Sequence, residues 1–337
     1  MTERLLIVGP SWLGDAVMMG SLVQRLKATV PERAITVLTP AHLAGVVRRL
    51  PGVADTLVNP FAHGALKLAE RAAFGRSLSG RFDAAIVLPH SWKSALVPLF
   101  ARIPRRSGFV GEARYLVLND ARKLDEAALP RMVDRFCLLA EQPGVRAPGA
   151  SPPPRLEVDP ADVAATRVRL GLADGPAVAL CIGAEYGPAK RWPARHFAEL
   201  ARRLAGKGIQ PWLLGGPGDV AAGAEVAGLA PGAIDLTGRT NLDEAAGLIA
   251  GATAAVSNDS GLMHVAAAVG RPLVALYGSS SPTFTPPLSD RAVILSEGLP
   301  CSPCFERVCP LGHFNCLNGL SPDRVWAALR PMFARLV

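Results

Sequence analysis

The chain has 337 residues, half of them hydrophobic and 19% charged, which is a composition typical of folded globular proteins. Its length allows two α/β domains of ordinary size. No apolar run reaches the roughly 18 residues that a membrane-spanning helix needs, and no signal peptide precedes the first predicted strand, so we expect a cytoplasmic protein. The formal net charge is +8 at pH 7, which favours an anionic partner: a nucleic acid, an acidic membrane surface or a phosphorylated substrate.

The first segment reads as a βαβ unit in which a glycine-containing loop joins a strand to a helix. Leu5–Val8 is predicted to be a buried strand, Gly9–Asp15 a loop and Ile35–Leu38 the next strand. Between them, apolar residues recur at helical spacing, namely Met19, Leu22, Val23, Leu26 and Val30. This order predicts a parallel sheet. The loop matches neither a dinucleotide fingerprint nor a Walker A sequence.

Asp15 lies at the predicted start of this helix. A carboxylate there stabilises the helix by interacting with its dipole, so a purely structural role and a catalytic role both remain open. Gly14, immediately before it, would let a substrate approach the backbone closely.

A second polar loop follows the predicted strand Ala84–Leu88. This loop, Pro89–Ser94, contains Lys93, and further basic residues, among them Arg114, come before Asp120. They do not share one helical spacing. We therefore expect a mostly solvated surface on which one or two cations face an acidic acceptor.

Gln142–Arg155 contains five prolines and two glycines, which cannot continue a helix or a central strand. We expect a linker here. It closes a first domain of residues 1–155 and precedes a second domain of residues 156–320. Residues 321–337 start with Ser321 and Pro322, a helix-start signal. Their apolar stripe consists of Val325, Leu329, Met332, Phe333 and Leu336.

The second half repeats the alternation of strands and helices. The predicted strands are Val178–Ile182, Pro211–Leu214, Ala233–Leu236, Ala254–Val256 and Leu273–Tyr277. The loops that follow them are polar and rich in glycine, and open parallel sheets bind ligands at such loops. We therefore expect an α/β protein with two doubly wound domains and a cleft between them.

The turn after Ala254–Val256 is the clearest candidate site. Asp259 or Ser260 is predicted to cap the apolar helix that follows, and Gly261 lets another molecule approach the backbone. The N–H groups of residues 260–262 then form either an anion site or an ordinary capped turn. Lys190, in the loop expected to overhang the cleft, would add a point charge for a diphosphate.

Several segments, in this order and spacing, resemble the signature segments of the bacterial heptosyltransferases, glycosyltransferase family 9. They are Gly9–Asp15, Gly187–Pro193, Asn258–His264, Tyr277–Pro282 and Phe284–Leu288. The resemblance implies a GT-B fold, which consists of two Rossmann-like domains facing each other across a cleft. The acceptor would bind residues 1–155 and ADP-heptose residues 156–320, while the helix within 321–337 would pack back on the first domain.

The resemblance also implies roles for matching positions. Asp15 corresponds to the proposed catalytic base, Lys190 to the lysine that binds the donor phosphate, and Asp259 to the carboxylate that holds the heptose hydroxyls. The other donor-binding positions are Ser260, Gly261, Leu262, His264, Glu185 and Thr240. The candidates for acceptor binding, Gly14, Lys93 and Arg114, come from the residues themselves: backbone access at the glycine and positive charge at the two basic side chains.

The reaction implied by the resemblance is an inverting transfer of L-glycero-D-manno-heptose from ADP-heptose to the first heptose of the lipopolysaccharide inner core, on heptosyl-Kdo2-lipid A. Transfer to an acceptor without heptose, or at a later step, remains open. No cofactor is expected for catalysis, because no D-x-D pair is present to hold a metal on the diphosphate. The acceptor implies peripheral contact with the inner face of the inner membrane.

Residues 301–316 depart from the family pattern because they contain Cys301, Cys304, Cys309 and Cys316. A structural zinc ion, an iron–sulfur cluster, reduced thiols and a disulfide all remain open, the last being less favoured in a reducing cytoplasm. The segment follows the donor-binding segments, so we expect it to affect stability more than turnover. A metal cluster and basic charge would also fit a nucleic-acid-binding protein, but scattered arginines and 6% aromatic residues argue against that class.

Overall fold

The computed structural model describes residues 2–61 and 64–333. The chain divides into two compact units, Met1–Arg155 and Leu156–Val337. Each unit contains one six-stranded sheet, and the strand pairs found in the described residues are parallel. Helices connect the strands, so the predicted α/β class with doubly wound sheets is confirmed.

The first unit places its most buried strands, Arg4–Val8 and Ala84–Val87, in the middle of its sheet. Its strands are β1 (Arg4–Val8), β2 (Ala34–Thr39), β3 (Val53–Val58), β4 (Ala84–Val87), β5 (Arg105–Phe109) and β6 (Asp120–Arg122), in the order β3-β2-β1-β4-β5-β6. Its helices are α1 (Leu13–Thr29), α2 (Ala44–Arg48), α3 (Leu68–Ser77), α4 (Leu96–Phe100) and α5 (Met132–Leu138), with 3₁₀ turns at Ala41–Leu43, Trp92–Ala95 and Arg114–Leu116.

The buried position of β1 explains its sequence. Leu6 pairs with Thr36 of β2 on one side and Ala85 of β4 on the other. A parallel strand that is covered on both faces needs apolar side chains on both, and residues 5–8 supply them. The predicted stripe of α1 packs in this core, where Met19 and Leu22 are fully buried.

The second unit has the same architecture. Its strands are β7 (Ala177–Cys181), β8 (Gln210–Leu214), β9 (Ile234–Asp235), β10 (Ala254–Asn258), β11 (Leu273–Leu276) and β12 (Ala292–Leu295), in the order β12-β11-β10-β7-β8-β9. Its helices are α6 (Pro160–Leu170), α7 (Ala194–Ala205), α8 (Val220–Leu229), α9 (Leu242–Gly251), α10 (Gly261–Ala268), α11 (Asn315–Asn318) and α12 (Pro322–Leu329), with 3₁₀ turns at Pro188–Lys190, Pro217–Asp219 and Arg330–Met332.

Both sheets have a point at which the strand order reverses. In the first unit it lies between β1 and β4, and in the second between β7 and β10. The loops after two such strands diverge to opposite faces of the sheet and leave a crevice at their carboxyl ends, which is where open α/β sheets bind ligands. The segments Gly9–Asp15 and Asn258–His264 both follow strands at these points.

The C-terminal helix α12 packs in the core of the second unit. Ser321 caps it by accepting a hydrogen bond from the N–H of Arg324 at 3.3 Å. Val325, Leu329 and Phe333 are buried among side chains of α7 and β11, contrary to the expectation that this apolar stripe packs on the first domain. The last residue of the predicted stripe, Leu336, lies outside the described residues.

In the part of the chain that the structure describes, no helix combines the length and the apolar character needed to cross a membrane.

Candidate active site

Lys190 and Asp259 form an ion pair at the switch point of the second unit. Lys190 ends the 3₁₀ turn in the loop after β7, and Asp259 directly follows β10. The ammonium Nζ donates to Oδ2 of Asp259 at 2.6 Å, and the exposed fractions of the two side chains are 18% and 4%. The two residues are 69 positions apart, and adjacent parallel strands bring their loops together.

Asp259 accepts a second hydrogen bond from Ser280, a residue for which no role was predicted from the sequence. Ser280 lies in the loop after β11, and its hydroxyl donates to the same Oδ2 at 2.5 Å. The strands β11, β10 and β7 are neighbours in the sheet, so three adjacent loops contribute Ser280, Asp259 and Lys190. A polar residue after a strand in a resembling segment was the signal that could have identified Ser280.

Asn258, at the end of β10, fixes the loop after β7 to the loop after β10. Its Nδ2 donates to the carbonyl of Ile182 at 2.7 Å, and its Oδ1 accepts from the backbone N–H of Trp192 at 3.0 Å. Trp192 is itself buried and donates from its indole to the carbonyl of Leu320 at 2.8 Å. The segment that carries Lys190 is therefore held at both ends.

Helix α10 begins next to the ion pair with no side-chain cap. Ser260 occupies the cap position, but its side chain accepts no hydrogen bond from the helix, so the predicted capping role is wrong for Ser260, and also for Asp259, which pairs with Lys190. The N–H groups at the start of a helix have no partner within the helix. Those of Gly261 and Leu262 are thus available to an anion, which the helix dipole also favours.

His264 lies within the same helix and is buried. Burial lowers its pKa to about 4; the carboxylate of Asp259 opposes this shift and the charge of Lys190 adds to it. The imidazole is therefore neutral at physiological pH. A neutral ring avoids adding a second buried positive charge beside the ammonium.

The other two predicted donor contacts lie on different loops. Glu185 is exposed in the loop after β7, five residues before Lys190 in sequence. Thr240 is half-buried after the edge strand β9, next to Asn241, which caps α9 together with Glu244. Among the hydrogen bonds of the described residues, none links Glu185 or Thr240 to the Lys190–Asp259 pair.

In the first unit, the switch point carries Gly14, Asp15 and Lys93. Gly14 and Asp15 lie in the first turn of α1, after β1, and the Asp15 side chain is half-buried. Lys93 is half-buried in the 3₁₀ turn after β4. Because β1 and β4 are adjacent, these loops lie side by side.

Arg114 does not fit the acceptor-binding role that its charge suggested. The residue is fully buried, and its guanidinium donates to the carbonyls of Pro89 at 2.5 Å and of Phe109, and to Ser91 and Ser94 at 3.4 Å. Burial lowers its pKa to about 10. An acceptor therefore has no access to the guanidinium, which instead holds together the loops that follow β4 and β5.

The cysteine-rich loop, residues 301–316, surrounds a small cavity. Its volume is about 20 Å³, and its lining includes Cys301, Cys304, Cys309 and Cys316 together with Ala189 and Ser279. Hydrogen bonds from backbone N–H groups, first that of Phe314, lower the pKa of Cys309, while burial and the nearby thiols raise that of Cys316. Within residues 2–61 and 64–333, no group of three or more His, Cys, Asp and Glu side chains is placed to hold a metal, so the predicted metal site is unsupported.

The cysteine-rich loop contacts two of the three loops that carry Lys190, Asp259 and Ser280. The N–H of Ala189 donates to the carbonyl of Arg307 at 3.0 Å, and the N–H of Phe305 donates to the carbonyl of Ser279 at 2.7 Å. The hydroxyl of Ser302 donates to the carbonyl of Gly278 at 2.5 Å. The loop therefore packs against the backbones that position Lys190 and Ser280.

Comparison with known proteins identifies the family of this chain. Residues 71–315 match glycosyltransferase family 9 (heptosyltransferase). Lipopolysaccharide heptosyltransferase 2 of Escherichia coli K12 is 46% identical over 98% of each chain, and lipooligosaccharide heptosyltransferase 2 of Haemophilus influenzae is 44% identical over 87% of this chain and 88% of the relative. The solved structure of E. coli ADP-heptose lps heptosyltransferase II superimposes with a TM-score of 0.89 at 41% identity, covering 98% of this chain and 99% of that one.

The family match covers more than half of the chain, and the full-length identities agree with it. The fold is of the GT-B type, and the protein is a glycosyltransferase. It belongs to glycosyltransferase family 9, the heptosyltransferases.

Proposed function

We propose that the protein transfers L-glycero-D-manno-heptose from ADP-heptose to the first heptose of the lipopolysaccharide inner core, the reaction of heptosyltransferase II. The observation that carries this proposal is the 46% identity over 98% of both chains to a relative named lipopolysaccharide heptosyltransferase 2. A relative named heptosyltransferase 1 is 35% identical over 42% of this chain. The relative of type 2 thus matches 98% of this chain and the relative of type 1 only 42%. This difference favours the type II acceptor, heptosyl-Kdo2-lipid A.

Lys190 and the start of α10 are proposed to bind the diphosphate of the sugar donor. An ammonium has three N–H donors, and one of them bonds to Asp259, which leaves two for phosphate oxygens. The N–H groups of Gly261 and Leu262 supply further donors at the positive end of the helix. As ADP leaves, charge grows on the diphosphate, and one such preorganised group contributes roughly 3 to 4 kcal/mol to the stabilisation of a transition state.

Asp259 is proposed to hold the heptose. Its Oδ2 accepts from both Lys190 and Ser280, while Oδ1 accepts none of the hydrogen bonds recorded among the described residues. The geometry supports a role in which Oδ1 accepts from a sugar hydroxyl while Oδ2 stays bound to the protein. The carboxylate would then orient the heptose and the lysine together.

Asp15 is proposed to act as the base. The acceptor hydroxyl attacks the anomeric carbon of the heptose and ADP departs from the opposite side, so the configuration inverts. A carboxylate is far less basic than an alkoxide, so Asp15 takes the proton as the new C–O bond forms. Gly14 gives the acceptor access to the backbone, and Lys93 faces its acidic groups.

We infer that this reaction needs no cofactor, since Lys190 and a helix end supply the positive charge. We further infer that the cysteines are thiols, because the side chains that line their cavity do not form a metal-binding group in the described residues. Elemental analysis of protein purified without chelator tests whether the cysteines are thiols. Zinc or iron at about one equivalent per chain would overturn that assignment.

The acceptor is a lipid, so the reaction is proposed to take place at the cytoplasmic face of the inner membrane. The formal net charge of +8 supports attraction to an anionic lipid surface. Sedimentation with vesicles that contain anionic lipid, compared with neutral vesicles, measures this contact. Equal recovery of the protein with both would exclude an electrostatic association.

The acceptor assay decides the reaction. Purified protein is given ADP-heptose with Kdo2-lipid A carrying no heptose or one heptose, and ADP release is measured. We expect release with the heptosylated acceptor and little with the other. Release with only the heptose-free acceptor would assign the type I reaction, and no release with either would refute the proposal.

A further inference from the structure

Arg307, in the cysteine-rich loop, bonds to the loop that carries Lys190. Its Nε donates to the carbonyl of Tyr186 at 2.8 Å, and its own carbonyl accepts from the N–H of Ala189 at 3.0 Å. The hydroxyl of Tyr186 donates to the carbonyl of Phe305 at 2.7 Å. Three hydrogen bonds therefore join the two loops: two of them involve Tyr186, and the third is made by Ala189.

Tyr186 also connects Arg307 to Lys190. The guanidinium carbon of Arg307 lies 5.2 Å from the centre of the Tyr186 ring, and the ammonium of Lys190 lies 5.1 Å from the same centre. Both distances fall within the range of cation–π interactions. A lysine side chain is long and flexible, so a fixed aromatic ring on one side and the Asp259 carboxylate on the other restrict where its ammonium can lie.

We propose that Arg307 is a positioning residue for the sugar-donor site: it fixes Tyr186, and Tyr186 fixes the ammonium of Lys190. The inference rests on the proposed function only in that Lys190 binds the diphosphate. It explains why an exposed arginine outside the segments that resemble the family makes three contacts with one loop. It also gives the cysteine-rich loop a part in donor binding.

The test is the ADP affinity of Arg307→Ala, measured by calorimetry. The substitution keeps the backbone contacts of residue 307 and removes only the side chain. We expect ADP to bind about tenfold more weakly, the size that the loss of one cation–π contact and one hydrogen bond gives. The KM for the sugar donor should rise accordingly, and the KM for the acceptor should stay unchanged.

The double variant separates positioning from direct binding. If Arg307 acts through Lys190, then Arg307→Ala should change ADP affinity by less than about twofold in a Lys190→Ala background. An undiminished effect in that background would show that Arg307 touches the nucleotide itself and would overturn the proposal. Unchanged ADP affinity in the single variant would overturn it as well.

Two controls keep the result interpretable. Arg324→Ala removes the same charge from an exposed arginine that pairs with Glu297 at 2.6 Å, and it should leave ADP affinity unchanged. If Arg307→Ala lowers the thermal stability, Tyr186→Leu serves as the second variant, since it removes the ring and should weaken ADP binding similarly. A wild-type protein that fails to bind ADP would refute the proposed function instead.

Discussion

The carboxylate of Asp259 holds the ammonium of Lys190 at 2.6 Å, and 4% of the Asp259 side chain is exposed. Removing one partner of such a pair leaves the other as a buried charge without a counter-charge, which is destabilising. One contact therefore contributes both to the proposed donor site and to the stability of the fold. Variants at this pair have to be measured for both quantities.

Lys190→Ala should weaken the binding of ADP and of ADP-heptose alike, because both ligands carry the diphosphate. The lost charge-assisted contacts cost roughly 1.5 to 3 kcal/mol, or about ten- to hundredfold in affinity, and the free energy of unfolding should fall as well. Calorimetry and chemical denaturation measure the two effects. Lys207→Ala, at an exposed lysine of the same unit, is the matched control, and equal ADP affinity in both variants would remove Lys190 from the site.

Ser280→Ala should act on the sugar more than on the nucleotide. The variant removes a hydrogen bond to Oδ2 of Asp259 and so loosens the carboxylate proposed to hold the heptose hydroxyls. We expect the KM for ADP-heptose to rise about tenfold, the cost of one hydrogen bond to a charged group, with a smaller change in ADP affinity. Ser279→Ala is the control, because that buried hydroxyl has no hydrogen-bond partner in the described part of the chain.

Asp15→Asn keeps the shape of the side chain but removes its charge. We expect normal folding, near-normal ADP-heptose affinity and a turnover at least a hundredfold lower, since general base catalysis contributes about 10²- to 10⁴-fold. Steady-state kinetics with saturating sugar donor and acceptor measure this. A turnover within about threefold of wild type would exclude the base role and leave Asp15 as a first-turn residue of α1.

Strands with uninterrupted apolar runs could be predicted from the sequence, whereas a strand that begins with two arginines could not. The run Val178–Ile182 was expected and β7 occupies Ala177–Cys181. The strand β5 was missed because Arg105 and Arg106 begin it, and their region read as solvated surface. Edge strands such as β3 are only partly buried, so they lack the continuous apolar signal of central strands.

The sequence predicted site residues from their place in the loops that follow the strands. Lys190 and Asp259 follow strands whose loops meet at a switch point, which the alternation of strands and helices already implied. The hydrogen bond from Ser280 and the contact between Arg307 and Tyr186, 121 positions apart, depend on how distant loops pack. Arg114 shows the same limit, because its burial could not be inferred from its neighbours in the sequence.

The stability of the second unit should depend on pH through His264. Its pKa is lowered to about 4 by burial, whereas an exposed histidine titrates near about 6.5. Between these values the unfolded chain binds the proton and the folded chain does not. The free energy of unfolding therefore falls as the pH drops from above 6.5 towards 4, by at most about 1.4 kcal/mol per pH unit for this group.

His264→Phe should flatten this dependence, as measured by chemical denaturation at several pH values between 8 and 5. His90 and His196, whose pKa values burial also lowers, would account for part of the slope that remains. The exposed His42 provides the control, since its replacement by Gln should leave the slope unchanged. An equal slope in His264→Phe and wild type would show that His264 does not cause the effect.

Gly187→Ala should weaken ADP binding although the residue carries no side chain to touch a ligand. A Cβ at Gly187 would overlap the carbonyl oxygen of Arg307, so the loop that carries Lys190 and the cysteine-rich loop would have to separate. The hydrogen bond from Ala189 to that carbonyl, now 3.0 Å, would lengthen, and the ammonium of Lys190 would lose its fixed position. We expect ADP affinity to fall about tenfold, because small displacements of binding groups have large effects on ligand geometry.

Gly228→Ala, where an added Cβ meets no atom within 4 Å, should bind ADP like the wild type. If Gly187→Ala also binds ADP like the wild type, close packing of the two loops is not what positions Lys190.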